Sequence, residues 1–530
     1  MNRLQKIIVS VTGIFLVLLI LVGLTYAYFL TRINGNRNDK SISVSTANLE
    51  LKYDDIEQVL ISEENVEPGK TWIKKFSATN TGNKKVESYG VALENVINTL
   101  KRTEDLVYTL NCTSSLGTTC NKVEDEQEFP TIGKILITNS IESKEVQSYE
   151  LTITYKDQNI DQSIDMNKQF SGKINIVNPS TFNPYVGSML NSVIIGSAKT
   201  ASESSDATRT TFGSEVTEFT SISGENEKVL NNAPDDYGIS YYFRGNVIDN
   251  YVSFANKTWR IVRINGDGSI RLVLDDVARD SSGNIIKSSF NSSFNDNAYV
   301  GYMYGTAGST TYDATHKNIN DSTIKTKVDK WYEDNIKTNY ANYLSDTLFC
   351  NDKTLASNGI GGVATQLGYG TSKTYYASTE RLQYSTGTTA ITTSKPTFKC
   401  AENATNTYSR FTVNETTLLN GNKTNGDLTY PIGLLSADEV AYAGAYKYNQ
   451  TNKTYYLYNS SITSNWWLSS PFVSSGSVAY GWCVIYSDVD FNNFYVFDTF
   501  AFRPSLSLKA SVLINGGDGT SSNPYTVKLS

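Results

Sequence analysis

The run Ile7–Thr31, "IIVSVTGIFLVLLILVGLTYAYFLT", holds 25 residues without a charge. As a helix it would extend about 37 Å, enough to cross a hydrocarbon core of about 30 Å. No other feature constrains the chain so strongly, because everything after it is then delivered across a membrane. Arg3 and Lys6 precede the run and a long, mildly acidic chain follows it, which predicts a cytoplasmic N-terminus with the bulk outside. Residues 1–32 have two fates. They stay as a membrane anchor through residues 7–31, or they serve as a signal peptide cut after Ala27 in "LTYA".

Cysteine usage agrees with export. Cys112 and Cys120 flank a short loop in "NCTSSLGTTC", and Cys350 and Cys400 stand in "LFCND" and "FKCAEN". Each pair falls inside one candidate domain, so disulfides Cys112–Cys120 and Cys350–Cys400 are expected, the pairing itself being open in sequence. Cys483 is left over, with no CxxC or His cluster around it, and reads as a small buried apolar residue. A net charge of -7 and scattered Lys and Arg offer no basic face. A nucleic-acid partner is therefore not expected.

At 530 residues the chain exceeds one core. From 41 to 177 the pattern has period two: "SISVSTANLELKYDD", "TWIKKFSATNTGN", "KVESYGVALENVI", "DLVYTLNCT", "GKILITNSI" and "VQSYELTITYK" alternate and are split by Gly, Asn, Asp and Pro turns. That predicts an all-β sandwich. Residues 178–234 are rich in Ser, Thr, Asn and Glu and read as a linker with one apolar island, Met189 to Ile195. Residues 235–530 open with strands around the "NGDG" turn. Two helices then follow, one with Ile324, Val328 and Trp331 on a face, the other capped by Ser436 and Glu439. With long irregular loops and a final run of strands, this is an α+β domain.

The candidate chemistry is sparse. The one His, His316, lies in "YDATHKNIN" with no nucleophile elbow nearby and reads as a solvated loop residue. "SDVDFNN" has Asp488, Asp490 and Asn492 at calcium-loop spacing, but Asn493 stands where Gly is needed and Thr499 where Glu is needed. No catalytic residue, metal ligand or cofactor is assigned, and the chain is not expected to be an enzyme. The stretch Val473 to Phe502 is different. It is thick with rings and Asp and has no Lys, Glu, Gln or Met. Alternation places Ala479, Gly481, Cys483 and Ile485 on one face, with Tyr480, Trp482, Tyr486, Asp488 and Asp490 on the other. Together with Asn492, Asn493, Tyr495 and Asp498 these make the candidate ligand-binding set, since Tyr and Trp supply stiff amphipathic contact area.

Two resemblances add to this reading. "LTYAYF", "STANLELKY" and "EPGKTWIKKFSATNTGN" resemble the TasA/camelysin family of exported bacterial matrix proteins over residues 1–177. That likeness implies a sandwich fold and an extracellular location. Camelysin has been linked to peptidase activity, but a zinc peptidase usually needs His ligands and this domain contains none. "YFRGNV", "FANKTWRIVRINGDGSIRLVL", "LLSADEVAYAG", "WWLSSP" and "FRPSLSL" resemble the formylglycine-generating-enzyme branch of the C-type lectin fold. Neither its Cys-pair oxidation nor calcium-dependent sugar binding carries over, because the cysteines read as structural and no Glu-Pro-Asn, Gln-Pro-Asp or Trp-Asn-Asp string occurs. The pyrimidine-ending codons available to nearly all of Pro471–Phe502 also resemble the target of a diversity-generating retroelement. The expected function is a cell-surface or secreted binding or adhesion protein with an extracellular protein or glycan ligand. The alternative is a structural matrix or envelope protein assembled through its sandwich.

Overall fold

The computed structural model of the chain describes residues 29–34, 42–43, 50–55, 61–63, 67–98, 100, 102–165, 168–198, 229–357, 359–382, 396–400, 407–414, 416–445, 455–487 and 491–529. The expected N-terminal helix lies outside them except at its end. There Phe29–Asn34 is a strand, so Phe29–Thr31 belong to a sheet and not to the span, because their backbone is committed to cross-strand bonds. No helix among the described residues is long and apolar enough to cross a membrane. The protein is mostly β-sheet, 39% strand against 14% helix. It divides into two compact units, residues 1–196 with 513–516, and residues 197–512 with 517–530.

Two sheets build the first unit. One runs in the order Ile61–Glu63, Phe29–Asn34, Lys168–Val177, Val86–Asn98, Lys134–Ile141, and the other Ile42–Ser43, Glu50–Asp55, Thr71–Asn80, Val146–Tyr155, Leu106–Ser114, Val123–Glu128. Alternation in Val146–Tyr155 is complete, every second residue being buried. Phe76, Tyr149, Leu151 and Ile153 from one sheet meet Val91, Leu93, Phe170 and Ile174 from the other in one apolar cluster. Trp72 packs edge-on against Phe170 at 5.3 Å. Sandwich-like layering thus follows from period-two burial on two inner faces.

Turns fall where the local chemistry demands them. Gly69 sits at φ +88° after Pro68, and its N–H donates to the Tyr155 carbonyl at 2.7 Å. Asn80 Oδ1 accepts from Gly82 N–H at 2.9 Å and turns the chain. Cys112 and Cys120 are joined. The bridged loop is held by Glu145, which accepts from Ser114 Oγ, Thr118 Oγ1, the Glu142 N–H and Gln147 Nε2. The apolar island forms the helix Leu190–Ser197, with Leu190, Val193 and Ile194 buried.

In the second unit the larger sheet runs Ile432–Gly433, Ser505–Leu508, Ile270–Leu274, Lys257–Ile264, Tyr251–Phe254, Tyr525–Val527. The hairpin Leu230–Pro234 with Ile239–Phe243 joins it through Tyr241 opposite Ile264. The smaller sheet runs Lys287–Ser288, Phe500–Phe502, Trp466–Ser475, Ala479–Val484, Phe491–Tyr495, with Lys373–Tyr375 beside Trp466–Ser475. Helix Thr323–Asn335 starts on Ser322, and Ala437–Ala443 starts on a complete capping box of Ser436 and Glu439. Cys350 and Cys400 are joined. Two disulfides fit a non-reducing, extracellular type of compartment.

Candidate functional site

Among the described residues Phe491–Tyr495 is the edge strand of the smaller sheet, with no strand paired to its outer side. Pairing sets Tyr480 opposite Tyr495, Trp482 opposite Asn493, and Cys483 opposite Asn492. Tyr480, Trp482, Asn493 and Tyr495 therefore share one face, while Asn492 and Phe494 take the other. The candidate set is split between two faces.

Its members also differ in access. Trp482 is fully buried, packed edge-on to Phe472 at 4.8 Å, with its indole N–H donating to Ser378 Oγ at 3.1 Å. The expectation of a displayed Trp482 is corrected. Helix Ala377–Leu382, which carries Ser378, covers that part of the face and turns it into core. Tyr486 is 46% exposed at the far end of the hairpin. Asn492, Asn493 and Asp498 are half-buried, and burial raises the Asp498 carboxyl above its usual range. Asp488 and Asp490 lie outside the described residues.

What the structure does gather is a row of rings. Phe294 meets Phe497 at 4.8 Å, Phe497 stacks on Tyr495 at 5.2 Å with planes 2° apart, and Tyr495 meets Tyr480 at 4.8 Å. Phe294, Tyr495 and Phe497 are each about 40% exposed. Phe294 is placed by its own carbonyl, which accepts from the Ala479 N–H at 2.7 Å. The turn after the strand closes through Asp498 N–H to Tyr495 O at 2.9 Å and brings Phe497 back over Tyr495. Phe497 lies inside the aromatic stretch of the sequence but outside the alternating candidate set. Phe294 had no local signal, since only the fold brings "NSSFND" to this edge.

The other faces of these strands are structural. Cys483 is buried and in neither disulfide, and Trp467 beside it donates to the Ser288 carbonyl at 2.9 Å. Gly481 lies against the Trp467 ring, where an added Cβ would make ordinary van der Waals contact at 3.4 Å. His316 overturns its reading as a solvated loop residue. It ends the short helix Tyr312–His316, fully buried, 4.5 Å from the Tyr312 ring and 5.9 Å from that of Tyr376. Burial, helped by the nearby Lys353 ammonium, lowers its pKa to about 3.

A second concave feature was not legible in the sequence. A cleft of about 880 Å³ in the second unit is lined by both signs of charge, among them Lys257, Asp276, Arg279, Lys327 and Asp334, over Trp331. A much smaller polar void of about 20 Å³ lies among Arg263, Asp352, Arg381, Asp438 and Glu439. Arg381 bridges Asp352 at 2.8 Å and Asp438 at 2.9 Å. No group of His, Cys, Asp and Glu among the described residues is arranged to hold a metal.

No protein-family model matches the chain, and no curated protein matches it. One solved structure, described as "AvmM Catalyzes Macrocyclization in Alchivemycin A Biosynthesis", aligns with 26% of this chain and 94% of its own at 12% identity and a TM-score of 0.14. A likeness that slight carries no argument about fold or chemistry.

Proposed function

We propose that this is a non-catalytic, cell-surface or secreted bacterial binding or adhesion protein, whose second unit is a C-type-lectin-like domain of the formylglycine-generating-enzyme-like branch. The observation that carries it is the row Phe294, Phe497, Tyr495 and Tyr480 beside a strand that is the sheet's edge among the described residues. Contiguous exposed rings mark interaction sites more often than bare surface, and a strand edge adds main-chain hydrogen bonding. An extracellular protein or glycan is the ligand this surface suits. The Cys350–Cys400 disulfide supports a structural role for those cysteines, against an oxidase reading.

Packing limits any diversification of Val473–Phe502. Trp482, Cys483, Val484, Val496, Ala501 and Phe502 are core, so variation is restricted to accessible positions, among them Tyr486, Asn492, Asn493, Tyr495 and Phe497. The test is a glycan and protein array probed with the full chain, wild type against Tyr495→Ala and Phe497→Ala. Each substitution is expected to weaken binding by roughly tenfold or more, as for central aromatic anchors. Equal binding by all three would remove the site from this edge.

A structural matrix role is the second reading. Lys134–Ile141 is an eight-residue sheet edge in the sandwich with one charged residue, whereas the edge Val123–Glu128 of the other sheet is guarded by four acids. Fibre formation on concentration of the purified chain would favour that reading.

A further inference from the structure

The cleft over Trp331 is lined by four cations, Lys257, Arg279, Lys327 and Lys330, and four acids, Asp275, Asp276, Asp280 and Asp334. It is neutral by count but not by pairing. Asp276 is held by Arg279 at 2.6 Å, and Asp334 by Lys330. Asp275 faces Arg260 at 3.8 Å, an arginine behind the cleft wall. Asp280 is turned into its own loop, accepting from the N–H groups of Ser282 and Asn284 at 2.9 Å and from Asn284 Nδ2 at 3.1 Å.

Lys257 and Lys327 have no carboxylate within ion-pair distance among the described residues. Lys257 is half-buried, with Nζ 5.5 Å from the centre of the Trp331 ring, and burial pulls its pKa down. An ammonium taken partly out of water without a counter-ion is one that an arriving anion would stabilise. The rim adds the hydroxyls of Thr258, Ser281 and Ser461. The volume suits a ligand of several rings better than a single ion.

We propose that this cleft binds a carboxylated saccharide, a uronate-containing oligosaccharide, with its carboxylates on Lys257 and Lys327 and its hydroxyls on the neutral rim. The site is separate from the aromatic edge. Isothermal titration of the full chain with trigalacturonate, with uncharged maltotriose and with citrate distinguishes the possibilities. Trigalacturonate is expected to bind at least tenfold tighter than either control and to weaken with added salt. Lys257→Gln and Lys327→Gln should each lose about tenfold, the scale of one hydrogen bond to a charged group. Thermal unfolding is expected to be unchanged for Lys327→Gln, which separates lost binding from lost folding. Equal binding of maltotriose would overturn the need for charge, and equal binding of citrate would reduce the site to a simple anion site. Undiminished binding by the double variant, or no binding of trigalacturonate at millimolar concentration, would overturn the proposal outright.

Discussion

The two units satisfy their buried backbone in different ways. In the sandwich, Val146–Tyr155 pairs over nine residues with Thr71–Asn80 and over nine with Leu106–Ser114, so amides and carbonyls answer one another in ladders. In the second unit several strands have only two or three residues, and carbonyls between elements end on buried cations instead. Arg503 donates to the carbonyls of Leu274 at 2.8 Å, Leu457 at 2.7 Å and Asp275 at 3.1 Å. Arg410 takes Cys400 O at 2.8 Å, Arg244 takes Ala441 O at 3.1 Å, and Arg271 takes Leu348 O. Lys353 takes Met303 O at 2.7 Å and His316 O at 3.1 Å. An irregular chain can be buried only if something donates to its carbonyls, and guanidinium, with five N–H groups in a planar fork, serves several at once.

That contrast is broken most directly at Arg503. Burial pulls the pKa of its guanidinium down, so the charge is tolerated because three carbonyls receive it. Arg503→Met should destabilise the second unit by about 3–5 kcal/mol, the scale for leaving buried polar groups without partners. Leu151→Ala in the sandwich should cost about 2–5 kcal/mol through a cavity. Hydrogen exchange read separately on peptides from 67–177 and 229–512 would show each loss confined to its own unit. Unchanged protection around Leu274 and Leu457 in Arg503→Met would refute the stapling argument.

The disulfides sharpen the comparison next. Cys350 and Cys400 close a loop with sequence separation 50, against 8 for Cys112 and Cys120. Loop-closure entropy then assigns about 4 kcal/mol to the first and about 2.5 kcal/mol to the second. Paired Cys→Ser variants compared by urea unfolding should keep that order, and a reversed order would mean that native-state packing outweighs chain entropy.

The smallest expected effect is in pH. His316 is neutral when folded, with a pKa of about 3, and takes a proton below about 6.5 when unfolded. Its contribution is complete above pH 6.5 and falls as pH drops toward 3, by about 2 kcal/mol at pH 5. In the sandwich, burial alone would raise Glu145, but the hydrogen bonds from Ser114, Thr118, the Glu142 N–H and Gln147 together hold it below its usual range. Its contribution is therefore lost only as pH falls below about 4.5. The second unit should begin to weaken at higher pH than the first, and His316→Phe should flatten the second unit's profile between pH 6.5 and 4. An unaltered profile in that variant would assign the titration elsewhere.

Much of the fold was legible because local rules repeat. The alternation of Trp72, Lys74 and Phe76, the turn at Pro68 and Gly69 and the cap at Ser436 each follow from a few neighbouring residues. The candidate site was legible only in part. Period two placed Tyr480, Trp482 and Tyr486 on one face, but it cannot show whether a helix lies over that face, and Ser378 lies over Trp482. The cleft and Phe294 gave no signal at all, because both arise from segments far apart in the chain.

By itself, then, the sequence determined a β-rich chain of more than one unit, its turns and helix starts, and the cysteine pairs that proved to be joined, since each depends on composition, period or short-range spacing. Only the tertiary structure decided which rings face water, that His316 is buried, and that "YFRGNV", "SIRLVL" and "FRPSLSL" carry arginines aimed at carbonyls. Exposure and hydrogen-bond partners belong to pairs of surfaces, and a single strand cannot specify its partner surface.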